Sequence, residues 1–242
     1  MSRTLHILAV ACPPLVTLAS KSPVDCAFGC LWTRVWRERG ITQATKLAVY
    51  RAVVLPTLLY GCETWTCYRR HLKKLDQFHL RCLRRLLGIS WEDRVTNQEV
   101  LRRSSMPGVE VLIMKVQLRW TGHVMRMEDS RLPKQSFCSE LAHGTRRQGG
   151  QTKRYKDSLK NSQRACDIPV KGWEHLAAGR SAWRLATHSG AQAFEERRLS
   201  QLDIKRQARK ERKANTAAAV ACPVCGSICA SGFGLRSHQG RH

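Results

Sequence analysis

Four residues near the carboxyl end have the types and spacing of metal ligands. They follow the pattern Cys-x2-Cys-x12-His-x3-His and are Cys222, Cys225, His238 and His242. Two thiolates on a tight turn and two imidazoles one helical turn apart can surround a zinc ion tetrahedrally. Leu235 precedes the first histidine by three residues and can cover the metal from the same helix. The pattern predicts a C2H2 finger of ββα fold over residues 221–242, with zinc as its cofactor.

Cys229 stands where such a finger usually has a large aromatic residue between the thiolate turn and the helix. A thiol fills less space, so the small core is weaker and the metal must supply nearly all of the folding free energy. Two interpretations of Cys229 stay open. It is either a small core residue, which we favour because the two histidines complete the ligand set, or a competing ligand.

The predicted finger helix has no side chains suited to reading base sequence. Its base-contacting positions are Ser231, Gly234 and Ser237, and none of them is Arg, Asn or Gln. Only Arg236 and Arg241 add positive charge. We therefore expect this finger to bind phosphate weakly or to contact protein.

The chain as a whole carries a large excess of positive charge. Lys and Arg total 42 against 18 acidic residues, which gives a formal net charge of +24 and a pI of about 10.4. Such an excess favours a polyanionic partner, because phosphate contacts release condensed counterions without reading sequence. We expect RNA, DNA or both as the partner. A basic surface that is only solvated is the alternative.

The expected phosphate contacts lie on three predicted helices and one predicted loop. They are Arg69, Arg70, Lys73, Lys74, Arg81, Arg84, Arg85, Lys153, Arg154, Arg206, Arg209, Lys210 and Arg236. The first seven share one side of a single helix, where like charges repel at i and i+4 unless an anion shares the face. Charge pattern alone does not separate a phosphate-binding face from a solvated one. The seven tryptophans are expected mostly in the core, with one or two open to stack on bases.

No arrangement of residues typical of catalysis occurs in the sequence. Nucleotidyl transfer and phosphodiester hydrolysis typically need clustered carboxylates that hold two metal ions. The seven aspartates, at positions 25, 76, 93, 129, 157, 167 and 203, are isolated from one another. The sequence also lacks a phosphate-cradling glycine loop, a Ser-His-Asp pattern and a Glu-bearing zincin helix. We predict that the chain is not an enzyme.

Hydrophobic periodicity and capping residues predict a mainly α-helical fold. Thr42 caps a helix over residues 42–60, and Pro56 is expected to kink or end it. A helix over residues 70–87 buries one apolar stripe and stops at Gly88.

A second group of helices follows along the chain. A capping box over residues 96–99 begins a short helix, and an amphipathic helix over 109–127, with one apolar stripe, follows the break at Pro107-Gly108. This helix pair could form a DNA-reading helix-turn-helix, although we favour ordinary core packing.

Five stretches of the chain have a distinctive amino-acid sequence: residues 50–65, 75–79, 81–84, 87–89 and 117–127. They resemble the region just downstream of the polymerase core in non-LTR (LINE-type) retrotransposon reverse transcriptases. The resemblance covers most of residues 28–242, including the C-terminal finger, and residues 1–27 do not share it. The chain departs from the family at Gly150-Gln151-Thr152, where a Gly-Arg-Pro-like run is expected.

The resemblance implies thumb and post-thumb helices that grip RNA or an RNA–DNA hybrid, and a finger that engages nucleic acid. In the complete family protein an endonuclease domain and an aspartate-bearing palm lie upstream. Neither is recognisable here, so we expect a truncated copy or fragment that binds zinc and nucleic acid without the family's enzymatic activity. The alternative is a zinc-finger protein-interaction module with no nucleic-acid role. The oligomeric state is not indicated.

Composition divides the chain into five segments. These are an unmatched segment over residues 1–27, for which disorder is one expectation, a helical thumb-like region over 28–130, a basic loop with short helices over 131–190, a basic helix and linker over 191–220, and the finger over 221–242. The odd cysteine count of 11 favours a reducing, intracellular location, which we expect to be the nucleus. No stretch of about 18 apolar residues occurs, so no membrane span is expected.

Overall fold

The structure is a computed structural model that describes residues 23–138, 153–216, 220–229 and 232–240. It is mainly α-helical, as the sequence predicts. The α-helices are α1 (Pro23–Cys30), α2 (Gln43–Val49), α3 (Leu55–Leu58), α4 (Arg69–Leu87), α5 (Asn97–Ser104), α6 (Val109–Met125), α7 (Leu132–Cys138), α8 (Tyr155–Ala165), α9 (Trp173–Ala178), α10 (Arg180–Thr216) and α11 (Gly232–Gln239). Two π-helical turns (Trp32–Trp36 and Tyr50–Val54) and a 3-10 turn (Cys62–Thr64) join them. Within the described ranges the strands are β1 (Val220–Ala221) and β2 (Ile228–Cys229).

The chain forms two compact units, residues 1–195 and 196–242, and the division falls within α10. The first unit contains the helices that pack around α6, and the second contains the two strands and α11. The expectations for residues 1–22 and for the predicted loop over 139–152 lie outside the described residues.

Pro56 changes the geometry of its helix without ending it. Thr42 caps α2 as predicted, because its hydroxyl oxygen accepts a hydrogen bond from the Thr45 amide at 3.2 Å. The helical run then continues through the π-helical turn Tyr50–Val54 into α3, which carries Pro56 near its start and ends at Leu58. A proline lacks the amide hydrogen and crowds the carbonyl four residues earlier, so a wider turn at that point relieves the conflict.

Helix α4 follows the prediction closely. It begins one residue before the predicted start and ends where Gly88 adopts a left-handed conformation with φ 65°. Glycine has no Cβ, so this conformation carries no steric cost. Leu75, Cys82 and Leu86 from the predicted apolar stripe are buried, and the helix packs against α2, α5 and α6. The opposite side of α4 is left to the basic residues.

Helix α6 is the centre of the first unit. It packs against α4, α7, α8, α9 and the 3-10 turn, so it is buried on several sides rather than along the one stripe that the sequence predicted. Its buried Gln117 is satisfied by the backbone, since Nε2 donates to the carbonyls of Cys62 at 3.0 Å and Trp65 at 2.8 Å. A paired amide of this kind fixes the 3-10 turn against α6 at little desolvation cost.

The helix-turn-helix hypothesis for α5 and α6 is wrong. The capping box does begin α5, with the Thr96 hydroxyl accepting from the Glu99 amide at 3.2 Å. A recognition helix, however, must present a polar face to the major groove. Along α6 only Arg119 and His123 are exposed, so the helix cannot present such a face.

Two glycines allow helices of the first unit to approach closely. A Cβ on Gly122 of α6 would collide with the Trp183 indole, whose Nε1 donates to the Leu118 carbonyl at 2.9 Å. A Cβ on Gly190 of α10 would collide with the backbone carbonyl of Cys166. Both contacts involve buried groups that have little room to move, so each position accepts only glycine without rearrangement.

The region predicted as a basic loop with short helices is more ordered than expected where it is described. Helices α7, α8 and α9 occupy residues 132–138, 155–165 and 173–178, and α10 begins at Arg180 rather than near Ala191. Aromatic side chains from α6 to α10 form one cluster with ring centroids 5.7–6.4 Å apart. The cluster consists of Trp120, Phe137, Tyr155, Trp173 and Trp183. These long-range contacts order helices whose own sequences give weak signals.

The described part of the second unit consists of the carboxyl-terminal part of α10, followed by strand, strand and helix. Strands β1 and β2 pair antiparallel, with Val220 opposite Cys229 and Ala221 opposite Ile228. Helix α11 follows and packs against both strands. Among the helices of the described ranges, none has the length and apolar character needed to cross a lipid bilayer.

A buried polar pair lies between the π-helical turn at Tyr50–Val54 and α4. The Tyr50 hydroxyl and His79 Nδ1 are 2.9 Å apart, and both side chains are fully buried. Burial lowers the pKa of His79 to about 4, and the backbone of Pro107 opposes this shift in part. Burial also raises the pKa of Tyr50 far above its ordinary value. His79 is therefore neutral in the folded chain at neutral pH.

We expect the first unit to lose stability in mild acid because of His79. The unfolded chain binds a proton at His79 below about pH 6.5, whereas the folded chain resists it down to about pH 4. The free energy of unfolding should fall by about 3 kcal/mol across this window, since one pKa unit corresponds to about 1.4 kcal/mol. Urea unfolding followed by tryptophan fluorescence measures this, because all seven tryptophans lie between positions 32 and 183. If the free energy of unfolding of the His79→Gln variant falls as steeply with decreasing pH as that of the parent chain, the loss of stability is not due to His79.

Candidate metal centre and basic surface

Three of the four predicted ligands come together in the second unit. The ligand atoms of Cys222, Cys225 and His238 all lie within 4.8 Å of one another, so this group can hold a metal ion. Cys222 is buried, Cys225 is exposed and His238 is half-buried. The fourth predicted ligand, His242, lies outside the described residues.

The turn that carries the two cysteines is shaped by local backbone hydrogen bonds. The Cys222 amide donates to the Ser227 carbonyl at 2.9 Å, and the Gly226 amide donates to the Cys222 carbonyl at 2.8 Å. Gly226 is left-handed, with φ 73°, which closes the turn tightly after Cys225. The two thiols consequently point into the same space, toward the helix that carries His238.

The donor set and its spacing fit a tetrahedral ion. Cys225 Sγ lies 2.9 Å from His238 Nε2, and Ser227 Oγ lies 3.3 Å from the same sulfur. Around tetrahedral zinc, neighbouring sulfur and nitrogen ligands lie roughly 3.5–3.8 Å apart, given Zn–S near 2.3 Å and Zn–N near 2.0 Å. The observed group needs only a small widening to reach this geometry. Ser227 is placed to donate a hydrogen bond to a metal-bound Cys225 thiolate.

Cys229 does not belong to the cluster of ligand atoms found in the described part of the chain. It is half-buried in β2, opposite Val220. This position favours the interpretation of Cys229 as a small core residue. Leu235 is half-buried in α11, one turn before His238, where the sequence placed it.

The seven basic residues of α4 form one continuous surface, which we call the α4 basic face (Arg69, Arg70, Lys73, Lys74, Arg81, Arg84 and Arg85). At 100° per residue they fall within an arc of about 160° around the helix. Six of the seven are exposed, and Arg84 is half-buried. The helix thus presents a dense band of positive charge to solvent, which is the predicted arrangement.

Some of these cations also have structural contacts. Arg69 pairs with Glu110 of α6 at 3.3 Å, and Arg85 lies over the Trp32 ring at 5.6 Å from its centroid. Arg84 donates to Asn97 Oδ1 at 2.5 Å and to the Val95 carbonyl at 3.4 Å. Arg84 therefore holds the loop between α4 and α5 and is a poorer candidate for phosphate contact than its exposed neighbours.

The other predicted phosphate contacts lie outside α4, although Lys153 shares the Tyr68 ring with Arg70 of the α4 basic face. Lys153 donates through Nζ to the Cys67 carbonyl at 3.1 Å and lies over the Tyr68 ring, so it fastens the chain before α8. Arg154 is exposed at the start of α8. In the second unit, Arg206, Arg209 and Lys210 are exposed on α10, and Arg236 is exposed on α11.

One exposed aromatic residue was not singled out from the sequence. Trp91, in the loop between α4 and α5, is 86% exposed, whereas Trp36, Trp65, Trp173 and Trp183 are buried, as expected for core residues. The signal was available in its neighbours, because Gly88, Ser90 and Asp93 are residues that favour turns over helices or strands.

Comparison with known proteins gives one informative similarity. The chain matches no family model, and no solved structure matches it. It is 27% identical over 145 residues to a transposon-derived protein of Caenorhabditis elegans, an overlap of 57% of this chain and 52% of that relative. The chain thus spans about half the length of the curated relative it matches. This similarity supports a transposon-related origin for the chain.

Proposed function

We propose that this chain is a zinc-binding, non-catalytic protein of LINE-type retrotransposon origin that binds RNA or DNA mainly through phosphates. The observation that carries the nucleic-acid part is the α4 basic face. Seven cations share one arc and one of them, Arg69, is paired with Glu110, so an anion that lies along the helix relieves repulsion among like charges that share the face. A phosphate backbone presents such charges at regular intervals.

Zinc is the metal that best fits the ligand set of the second unit. Two thiolates with one or two imidazoles form a mixed soft and borderline set, which selects zinc over magnesium or calcium. The closed turn at Cys222–Cys225 and the histidine on a following helix are typical of a structural site, in which the metal holds the fold together. We expect His242 to complete the coordination.

The LINE-type assignment is supported by where the resembling stretches lie. Residues 50–65 supply the π-helical turn, α3 and the 3-10 turn, and residues 117–127 supply most of the second half of α6. The two stretches meet where Gln117 donates to Cys62 and Trp65. Stretches that resemble one family and pack on each other are what a shared core would produce.

We expect nucleic-acid affinity to depend steeply on salt. If about six phosphates contact the α4 basic face and neighbouring cations, log K should fall with log salt at a slope of about −5 for duplex DNA and about −4 for single strands. Fluorescence anisotropy with labelled RNA, single-stranded DNA and duplex DNA, titrated from about 50 to about 200 mM salt, measures these slopes. Affinity that hardly changes over this range would contradict phosphate-driven binding.

A second candidate function is favoured by the surface of the second unit. Val224, Ile228 and Phe233 are 68%, 76% and 84% exposed, which is a high apolar content for the surface of so small a module. Such a surface suits a protein partner, and the predicted base-contacting positions carry only Gly and Ser. If the zinc-loaded chain binds none of the three nucleic acids at low salt, this protein-interaction function replaces the first proposal.

A further inference from the structure

Trp91 is a large aromatic side chain that lies exposed to solvent on a hydrogen-bonded turn. The Ser90 amide donates to Asp93 Oδ2 at 2.6 Å, the Glu92 amide donates to Ser90 Oγ at 3.0 Å, and the Arg94 amide donates to the Trp91 carbonyl. Arg94 is left-handed, with φ 49°. The indole is 86% exposed although the backbone around it is fixed.

Both ends of this loop are attached to the last turn of α4. At the near end, the Ile89 amide donates to the Arg84 carbonyl at 2.9 Å. At the far end, the Arg84 guanidinium donates to the Val95 carbonyl and to Asn97 Oδ1. The loop that carries Trp91 is therefore anchored at the carboxyl-terminal end of the α4 basic face, through Arg84, which belongs to that face.

We propose that Trp91 is a stacking platform for an unpaired base of a single-stranded nucleic acid whose phosphates lie along the α4 basic face. This inference rests on the proposed function and adds a preference for unpaired strands. An aromatic ring beside a band of cations is the combination that binds single strands, because cations follow the backbone while the ring stacks on a base. Bases inside a duplex are already stacked and cannot reach such a ring.

The turn that carries Trp91 bears charges of both signs, because Glu92, Asp93 and Arg94 are all exposed. Asp93 is engaged with the Ser90 amide, and Glu92 is exposed beside the indole in the sequence. Arg81 and Arg85, one to two turns earlier, provide the nearest exposed cations of α4. The exposed cations of α4 are available to the phosphate backbone, and the exposed indole is available to a base.

The preorganised turn also lowers the entropic cost of binding. A Trp side chain on a mobile loop would lose conformational freedom when a base stacks on it. Here the backbone hydrogen bonds of residues 89–94 fix the ring's point of attachment before the ligand arrives. This explains why an exposed indole at an ordered turn is better suited to binding than one on a flexible segment.

The test compares single-strand and duplex binding by the full zinc-loaded chain and its Trp91→Ala variant. Short labelled oligouridine and a labelled duplex serve as probes in anisotropy titrations. We expect Trp91→Ala to weaken oligouridine binding about ten-fold and duplex binding by less than about two-fold, with Trp91→Phe close to the parent chain. The salt slope should be unchanged, because no phosphate contact is lost.

Tyr60→Ala provides the matched control, since Tyr60 is 84% exposed and lies outside α4 and its loop. It should bind both probes like the parent chain. If Trp91→Ala binds oligouridine as tightly as the parent, or loses both probes equally, the stacking inference is overturned while phosphate binding by α4 stands. If the parent chain binds neither probe, both the inference and the proposed function are overturned.

Discussion

Replacing Cys225 by Ala is expected to abolish stoichiometric zinc binding and to unfold the second unit. Cys225 Sγ lies within hydrogen-bond distance of His238 Nε2 and completes a three-donor group with Cys222. The apparent binding free energy of zinc in comparable finger peptides is about 10–16 kcal/mol, and it is also folding free energy. Within the described residues of 220–240, Cys222 is the one buried side chain, so little apolar packing remains once the metal is lost.

Metal analysis of the purified chain after dialysis measures this result, and two further variants sharpen it. Cys229→Ser should retain about one zinc ion per chain, because the Cys229 thiol is outside the ligand cluster. His242→Ala should lower zinc affinity if this residue is the fourth ligand. Full zinc retention by Cys225→Ala, or loss of zinc from Cys229→Ser alone, would show that the ligand set has been misassigned.

Neutralising the centre of the α4 basic face should weaken binding to every nucleic acid. The variant carries Arg70→Gln, Lys73→Gln, Lys74→Gln and Arg81→Gln, all at exposed positions. Losing about four phosphate contacts should lower affinity on the order of 100-fold at low salt and reduce the magnitude of the salt slope by about 3 to 4. Because phosphates are common to all sequences, the loss should be similar for different probes.

The control removes the same number of charges from another part of the first unit. It replaces four exposed residues outside α4 by Gln: Lys160, Lys171, Arg180 and Arg184. This chain has the same net charge as the α4 variant, so it separates a local binding surface from the general attraction of a basic protein. Equal losses in the two variants would mean that α4 has no special role.

Features that depend on neighbouring residues along the chain could be predicted well. The caps at Thr42 and Thr96 and the stop at Gly88 follow from local hydrogen bonding and from the freedom of glycine to adopt positive φ. The metal cluster belongs to the same class, because a tight turn and one helical turn fix the ligand spacing. Such local signals do not depend on how the rest of the chain packs.

Features that depend on distant residues could not be predicted. The burial of α6 on several sides arises because helices from both earlier and later sequence pack on it, and α10 begins early because Trp183 docks on the Leu118 carbonyl. The contacts made by the α4 basic face also depend on residues that are distant in the sequence. Periodicity identified the cations of α4, but only the tertiary fold shows that Arg84 is engaged with Val95 and Asn97.

The close helix contacts at Gly122 and Gly190 affect how conserved positions in related sequences should be interpreted. Every replacement of glycine adds at least one carbon atom, and at these two positions that atom would overlap a buried indole or a backbone carbonyl. Copies that are still selected to fold should therefore keep glycine at both positions, whatever ligand they bind. A glycine kept at these two positions among related sequences would reflect the lack of space inside the helical core. A residue kept at Trp91 or on the outer side of α4 would instead point to ligand binding.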